Sequence, residues 1–161
     1  MANGRLDLIE IPNAHFIFRT NFRGEAGPYN EEGERFFSVI LEGDALKQAE
    51  EYGMLIKHTK GGNGYDPVAY IKVNVGYKIK DPVAWLINSR CKRVLTQDSI
   101  GILDHMQFTN VDMVVRPHPW HNGPASGVNA YLEEIYCTVK ESSFAQKYYD
   151  IPEDGAPRTD E

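Results

Sequence analysis

Cysteine is scarce. Cys91 and Cys137 are the only two, too few for a disulfide framework or a four-ligand zinc site. Both fall in strand-like runs, where a buried free thiol is the ordinary outcome. The expected compartment is therefore reducing, cytoplasmic or equivalent. No run approaches the roughly 18 apolar residues of a membrane span. The opening MANGRLDLIEIPN has no apolar stretch of signal-peptide length. Neither membrane insertion nor secretion is expected.

The marks of an enzyme are also missing. Gly61-Gly62-Asn63-Gly64 is glycine-rich but lacks the lysine and the Ser/Thr of a phosphate-binding loop. There is no Gly-x-Ser-x-Gly elbow. A metal-dependent hydrolase would have to use His105, His118 and His121, with no cysteine or carboxylate cluster in support. The expectation is a non-enzymatic protein with no cofactor and no metal.

What is present is a chain of 161 residues with 42% apolar and 25% charged residues, the makeup of one globular domain with a tail. Its formal net charge is −6, but the charge is unevenly spread. Residues 54–97 carry eight Lys or Arg against two acids, +6, which leaves −12 elsewhere. Residues 150–161 carry five acids and one arginine, a polar, proline-containing segment expected to be disordered. A local basic patch can govern short-range binding in an acidic protein.

That basic patch centres on residues 68–93. Ala69, Ile71, Val73, Val75 and Tyr77 alternate with Tyr70, Lys72, Asn74, Gly76 and Lys78, the period of a half-buried strand. The outward face holds a ring, an amide, two lysines and no acid. Rings and cations on a sheet suit single-stranded nucleic acid, and they equally suit a plain solvated face. Trp85 alternates with Val83 and Ile87, which favours the core.

Elsewhere, residues 13–20 read as a strand with Ala14, Phe16 and Phe18 on one face, and residues 34–41 as the next. Asp44 is placed to cap a helix that Gly53 stops. Residues 54–60 read as a short strand and residues 96–104 as a short helix. Residues 106–116 form a strand, residues 117–126 a long turn with Asn122-Gly123 near its tip, and residues 127–140 a long strand. The apolar phase of that last strand shifts between Leu132 and Ile135, as at a bulge. Residues 141–149 read as a helix. Strands dominate without strand–helix alternation, so the expected fold is mainly β: an OB-fold-like antiparallel barrel with one or two short inserted helices. The expected division is a domain over 1–149 and an acidic tail over 150–161.

Candidate stacking rings are Tyr70, Trp120, Tyr29 and Tyr65, and candidate phosphate-binding cations are Lys72, Lys78, Arg90, Lys92, Arg93 and Arg116. Trp120, between proline and histidine, either binds or anchors a loop.

The ordered blocks NAHFIFRTNFRGEAGPYNEEGERFFSVIL, AYIKVNVGYK, LTQDSIGILD, NVDMVVRPHPW and SGVNAYLEEIYCTV resemble a family of bacteriophage-encoded single-stranded-DNA-binding proteins. The resemblance covers about residues 11–149. It implies an OB fold and sequence-tolerant binding of single-stranded DNA during phage replication or recombination, in the cytoplasm of an infected bacterial host. It carries Tyr29, Tyr70, Lys72, Arg116 and Trp120 over as site residues. It also implies that the acidic tail contacts replication or recombination proteins or competes with DNA, although the end Arg158-Thr159-Asp160-Glu161 lacks the terminal aromatic such tails often have. A monomer or homodimer is expected. The alternative is a non-enzymatic protein-interaction module, such as a virion component or an inhibitor of a host protein.

Overall fold

The computed structural model describes residues 6–141. Among these residues nine strands follow in order: β1 (Ile9–Ile11), β2 (Phe16–Asn21), β3 (Arg35–Leu41), β4 (Lys57–His58), β5 (Ala69–Val75), β6 (Val83–Ile87), β7 (Lys92–Leu95), β8 (Phe108–Asn122) and β9 (Ala125–Val139). One α-helix, α1, spans Gly43–Glu51, and a 3₁₀ turn spans Ile100–His105. The expected helix over residues 141–149 and the acidic tail lie outside the described residues.

The alternation in β5 holds residue by residue: Ala69, Ile71, Val73 and Val75 are buried, while Tyr70, Lys72 and Asn74 are not. The phase shift in β9 is a bulge. Pairing with β8 passes from Val114–Glu134 to Val115–Leu132, which leaves Glu133 as the extra residue. Both sides of the bulge keep their apolar residues, Leu132 and Ile135, in the core.

Helix α1 starts two residues earlier than the capping pattern suggests. Glu42 is its N-cap, and Asp44 lies in the first turn, where its charge complements the helix dipole. Gly53 does stop it. Its positive φ of 73° lets Gly53 N–H bond Glu50 C=O and Met54 N–H bond Ala49 C=O, each at 3.1 Å.

The expected antiparallel barrel is corrected on two counts. The strands form an open sheet with the path β1-β8-β9-β5-β3-β2; β4 adds to β5, and the β6–β7 hairpin adds to β9. Closure would need a ladder between the two ends. Instead the link between β1 and β2 touches β8 through Ala14 N–H to Val111 C=O (2.6 Å) and Asn13 N–H to Asp112 Oδ1 (2.9 Å). Pro12 has no N–H to give, and Asn13 has φ of 47°, so the chain turns there rather than pairing on. The sheet is also mixed, because β5 and β6 both run parallel to β9, one after the other along it.

The core gathers under one face of this sheet. Phe22 and Phe37 stack with centroids 5.1 Å apart, and Phe16 meets both edge to face. Phe37 is fully buried, and its truncation to alanine should cost about 3–5 kcal/mol.

Residues 117–126 differ from the expected long turn. They continue β8 and β9 as a ribbon paired from Pro117–Ala130 out to Asn122–Ala125, with only Gly123 and Pro124 at the turn. Pro117 and Pro119 are tolerated because β1 reaches no further than Val115, so β8 has an open edge beyond it.

Candidate nucleic-acid interface

Side chains two apart on a strand share a face, and paired residues on neighbouring strands share it too. On the face away from the core, β5 presents Tyr70, Lys72 and Asn74. These pair with Ile40, Ser38 and Phe36 of β3. On the other side Asn74 pairs with Tyr131 of β9, and Tyr131 with Arg116 of β8. Two and four residues further along β8, His118 pairs with Asn129 and Trp120 with Gly127. Tyr70, Lys72, Arg116 and Trp120 therefore belong to one face of one sheet.

The contacts on this face join rings to cations. Lys72 Nζ lies 4.6 Å from the Phe36 ring centroid, and the Arg116 guanidinium 5.2 Å from that of Tyr131. His118 meets Tyr131 edge to face at 5.7 Å. The Trp120 ring lies over Gly127, where a Cβ would come within 2.9 Å of it. An open groove of about 520 Å³ runs between β5 and β9, lined by Tyr70, Lys72 and Asn74 on one side and Val128, Asn129 and Ala130 on the other.

Phe18 lines the same groove and does not share the face of Ala14 and Phe16, on which its periodicity puts it. The β2–β3 register shifts between Ile17 and Asn21, and Phe18 takes a left-handed φ of 65°. The ring swings outward, 64% exposed, and meets Tyr70 edge to face at 5.1 Å. A left-handed phenylalanine costs on the order of 1–3 kcal/mol and persists where its surroundings impose it. The Asp104 carboxylate accepts bonds from Thr20 Oγ1 (2.7 Å), Phe22 N–H (2.8 Å) and Arg23 N–H (2.9 Å), fixing the chain just after Phe18.

Other candidates scatter. Tyr29 is 99% exposed at the tip of a loop closed by Gly27 and Asn30, at the Arg35 end of β3. Lys78 is exposed in the connection from β5 to β6. Arg90 is half-buried in the turn before β7, its N–H bonded to Asn88 Oδ1 at 2.8 Å. Lys92 and Arg93 are adjacent on β7 and so point to opposite faces: Lys92 pairs with Ile87, Arg93 with Leu86. Only Lys92 shares the outward face, 5.9 Å from the Trp85 ring. Trp85 itself is corrected. Ala84 is the buried residue, paired with Ile135, while Trp85 is half-buried on the opposite face and pairs with Tyr136.

Glu133 is the acid among these cations. Its Oε1 accepts Arg116 Nε at 3.2 Å, and its Oε2 accepts the Lys80 ammonium. The hydrogen bond from Lys80 holds its carboxyl below the ordinary range, against the opposing effect of burial. A cavity of about 880 Å³ between α1 and the β1 edge has a different character. Glu10, Glu42, Asp44 and Glu134 line it with no Lys or Arg, so it would repel a polyanion. Among the described residues no group of three or more His, Cys, Asp or Glu could hold a metal ion.

Comparison with known proteins places the chain in a family. Residues 2–159 match the family described as "Putative phage ssDNA-binding domain". The chain belongs to that family. The resemblance read from the sequence blocks is thereby confirmed, and a family of DNA-binding domains accords with a non-enzymatic role. The fold is that of the single-stranded DNA-binding protein from bacteriophage Enc34. Its C-terminal truncation superposes with a TM-score of 0.54 at 14% identity, over 84% of this chain and 87% of that one. The same protein in complex with ssDNA gives 0.54 and 14%, over 85% and 89%. Its untruncated form gives 0.51 and 15%, over 85% and 83%. No curated protein matches the chain.

Within this family member, reasoning from sequence missed Phe18, Tyr131 and Trp85 as rings of the outward face. Tyr131 alternates with the buried Ala130 and Leu132, a signal that was there to be read. Phe18 left none.

Proposed function

We propose that this chain is a sequence-tolerant single-stranded-DNA-binding protein that protects exposed strands during phage DNA replication or recombination. The observation that carries the reading is the shared face: Phe18 and Tyr70 in edge contact, Lys72 beside them, and Arg116 with Trp120 on the same sheet through β9. Cations track phosphates, and rings stack on bases at about 1–3 kcal/mol per base. Every base offers a π-face, so such a surface has little sequence preference. Family membership and the fold shared with the Enc34 protein, which has been solved with ssDNA, support the reading.

The groove is lined by Lys57 and Lys72 and by no acid, which favours an anionic ligand over a basic one. The acidic residues 150–161 then serve as a competitor for the cations or as a contact for replication or recombination proteins. The protein acts in the reducing cytoplasm of an infected bacterium, as a monomer or homodimer. Titrating tryptophan fluorescence with an unstructured oligonucleotide at low salt tests the reading. Quenching with a matching gel shift is expected; neither effect at micromolar protein rejects it.

A further inference from the structure

Glu133 is a carboxylate set among the cations of a face that otherwise suits phosphates. We propose that it is an internal counter-anion, holding Arg116 and Lys80 where a phosphate will take them and limiting the affinity of the face for DNA. The proposal rests on the single-strand-binding reading and deepens it.

Three observations carry it. First, Glu133 is the extra residue of the β8–β9 bulge, and it lies two residues from Tyr131 and so on the same outward face. Second, its two oxygens are divided between two cations from distant parts of the chain. Arg116 reaches it from β8 and Lys80 from the β5–β6 connection. A phosphodiester likewise offers two non-bridging oxygens and one negative charge, so the carboxylate is a fair stand-in for it. Third, exposure is unequal. The Glu133 side chain is 11% exposed, while those of Arg116 and Lys80 are 33% and 59% exposed. The cations are accessible to an incoming phosphate, and the acid is tucked beneath them.

Among the described residues Arg116 bonds Glu133 through Nε alone, and its guanidinium rests against the Tyr131 ring. Both Nη groups remain for a phosphate, so Arg116 need not leave Glu133 to bind DNA. Lys80, on a flexible stem in a connection, can exchange outright. The two cations and one acid leave a local charge of +1, where the cations alone would give +2. A face held at reduced charge binds less tightly and releases strands more readily, as a protein displaced by replication must.

The test is Glu133→Gln in the full-length protein, with fluorescence titration of a thymidine oligonucleotide across a salt series. The proposal expects several-fold tighter binding at low salt. It also expects log Kobs against log[salt] to steepen by about 0.7, the value for one further phosphate neutralised on a single strand. Unchanged affinity and slope, or weaker binding with a flatter slope, overturns it. If Glu133→Gln melts below the assay temperature, Lys80→Met carries the test. Binding should weaken and the slope flatten by about 0.7; an unchanged slope overturns the proposal. Failure of the underlying reading looks different, because wild-type protein would then not bind the oligonucleotide at all.

Discussion

Phe18 and Tyr70 meet edge to face with centroids 5.1 Å apart and planes at 81°, although one comes from a strained turn of β2 and the other from the most regular strand of the sheet. Phe18 pairs with nothing across β3, and Tyr70 is fixed by a full ladder. The contact gives an exposed aromatic corner at the groove beside Lys72.

Phe18→Ala should weaken binding of single-stranded DNA by about 1–3 kcal/mol, the worth of one stacked base. Phe18→Gly should weaken it equally, yet melt above the alanine variant, because at φ of 65° glycine escapes the strain that alanine keeps. Oligonucleotide titration and thermal melting of the two variants check both halves. Equal melting temperatures would mean that the left-handed backbone is not strained.

Asp104→Ala should destabilise the fold by about 2–3 kcal/mol, since it leaves Thr20 Oγ1 and the Phe22 and Arg23 N–H groups without their acceptor. It should also lower DNA affinity without touching DNA, by releasing the segment that turns Phe18 outward. Urea denaturation followed by titration in the absence of urea separates the two effects.

These residues mark the limit of what the sequence shows. In β5 the period-two pattern is local and the ladder to β3 is unbroken, so its faces, and with them Tyr70 and Lys72, follow from the chain alone. Phe18 obeys the same pattern and lands on the other face, because β2 breaks register between Ile17 and Asn21, just ahead of a segment tied to Asp104 more than eighty residues away. No local signal records that. Trp85 misleads for a different reason. Its strand packs Ala84 and Leu86 inward against Ile135 and Cys137 and turns three apolar groups, Val83, Trp85 and Ile87, away, so hydrophobicity does not single out the buried face. The prolines around Trp120 read as a turn because proline breaks ladders, and only the shortness of β1 makes them harmless in β8. Barrel closure fails at Pro12 and Asn13 for lack of one ladder, which a count of strands cannot reveal.

Gly127→Ala should displace the Trp120 ring, since the new Cβ would lie 2.9 Å from it. Its binding loss should approach that of Trp120→Ala, about 1–3 kcal/mol. The tryptophan emission spectrum should shift in Gly127→Ala before any DNA is added. An unshifted spectrum with full affinity would remove Trp120 from the face.

The Lys80 bond lowers the Glu133 pKa, so the sign of its pH effect follows. The stabilisation is present above the ordinary value of 4.5 and is lost as pH falls through the lowered folded-state value. Wild type and Glu133→Gln should therefore converge in melting temperature as the pH drops below that range. A gap that stays constant with pH would show that the ion pairs add nothing to stability.

The central claim is that DNA lies on the outward face of β5, β9 and β8 together with Phe18. Photocrosslinking an oligonucleotide of iododeoxyuridine to the full-length protein, with mass spectrometry of the peptides, tests it most directly. The account predicts crosslinks at Phe18, Tyr70 and Trp120. Crosslinks confined to Tyr52 at the end of α1, or to the acidic cavity beside it, with none on that face, would contradict it.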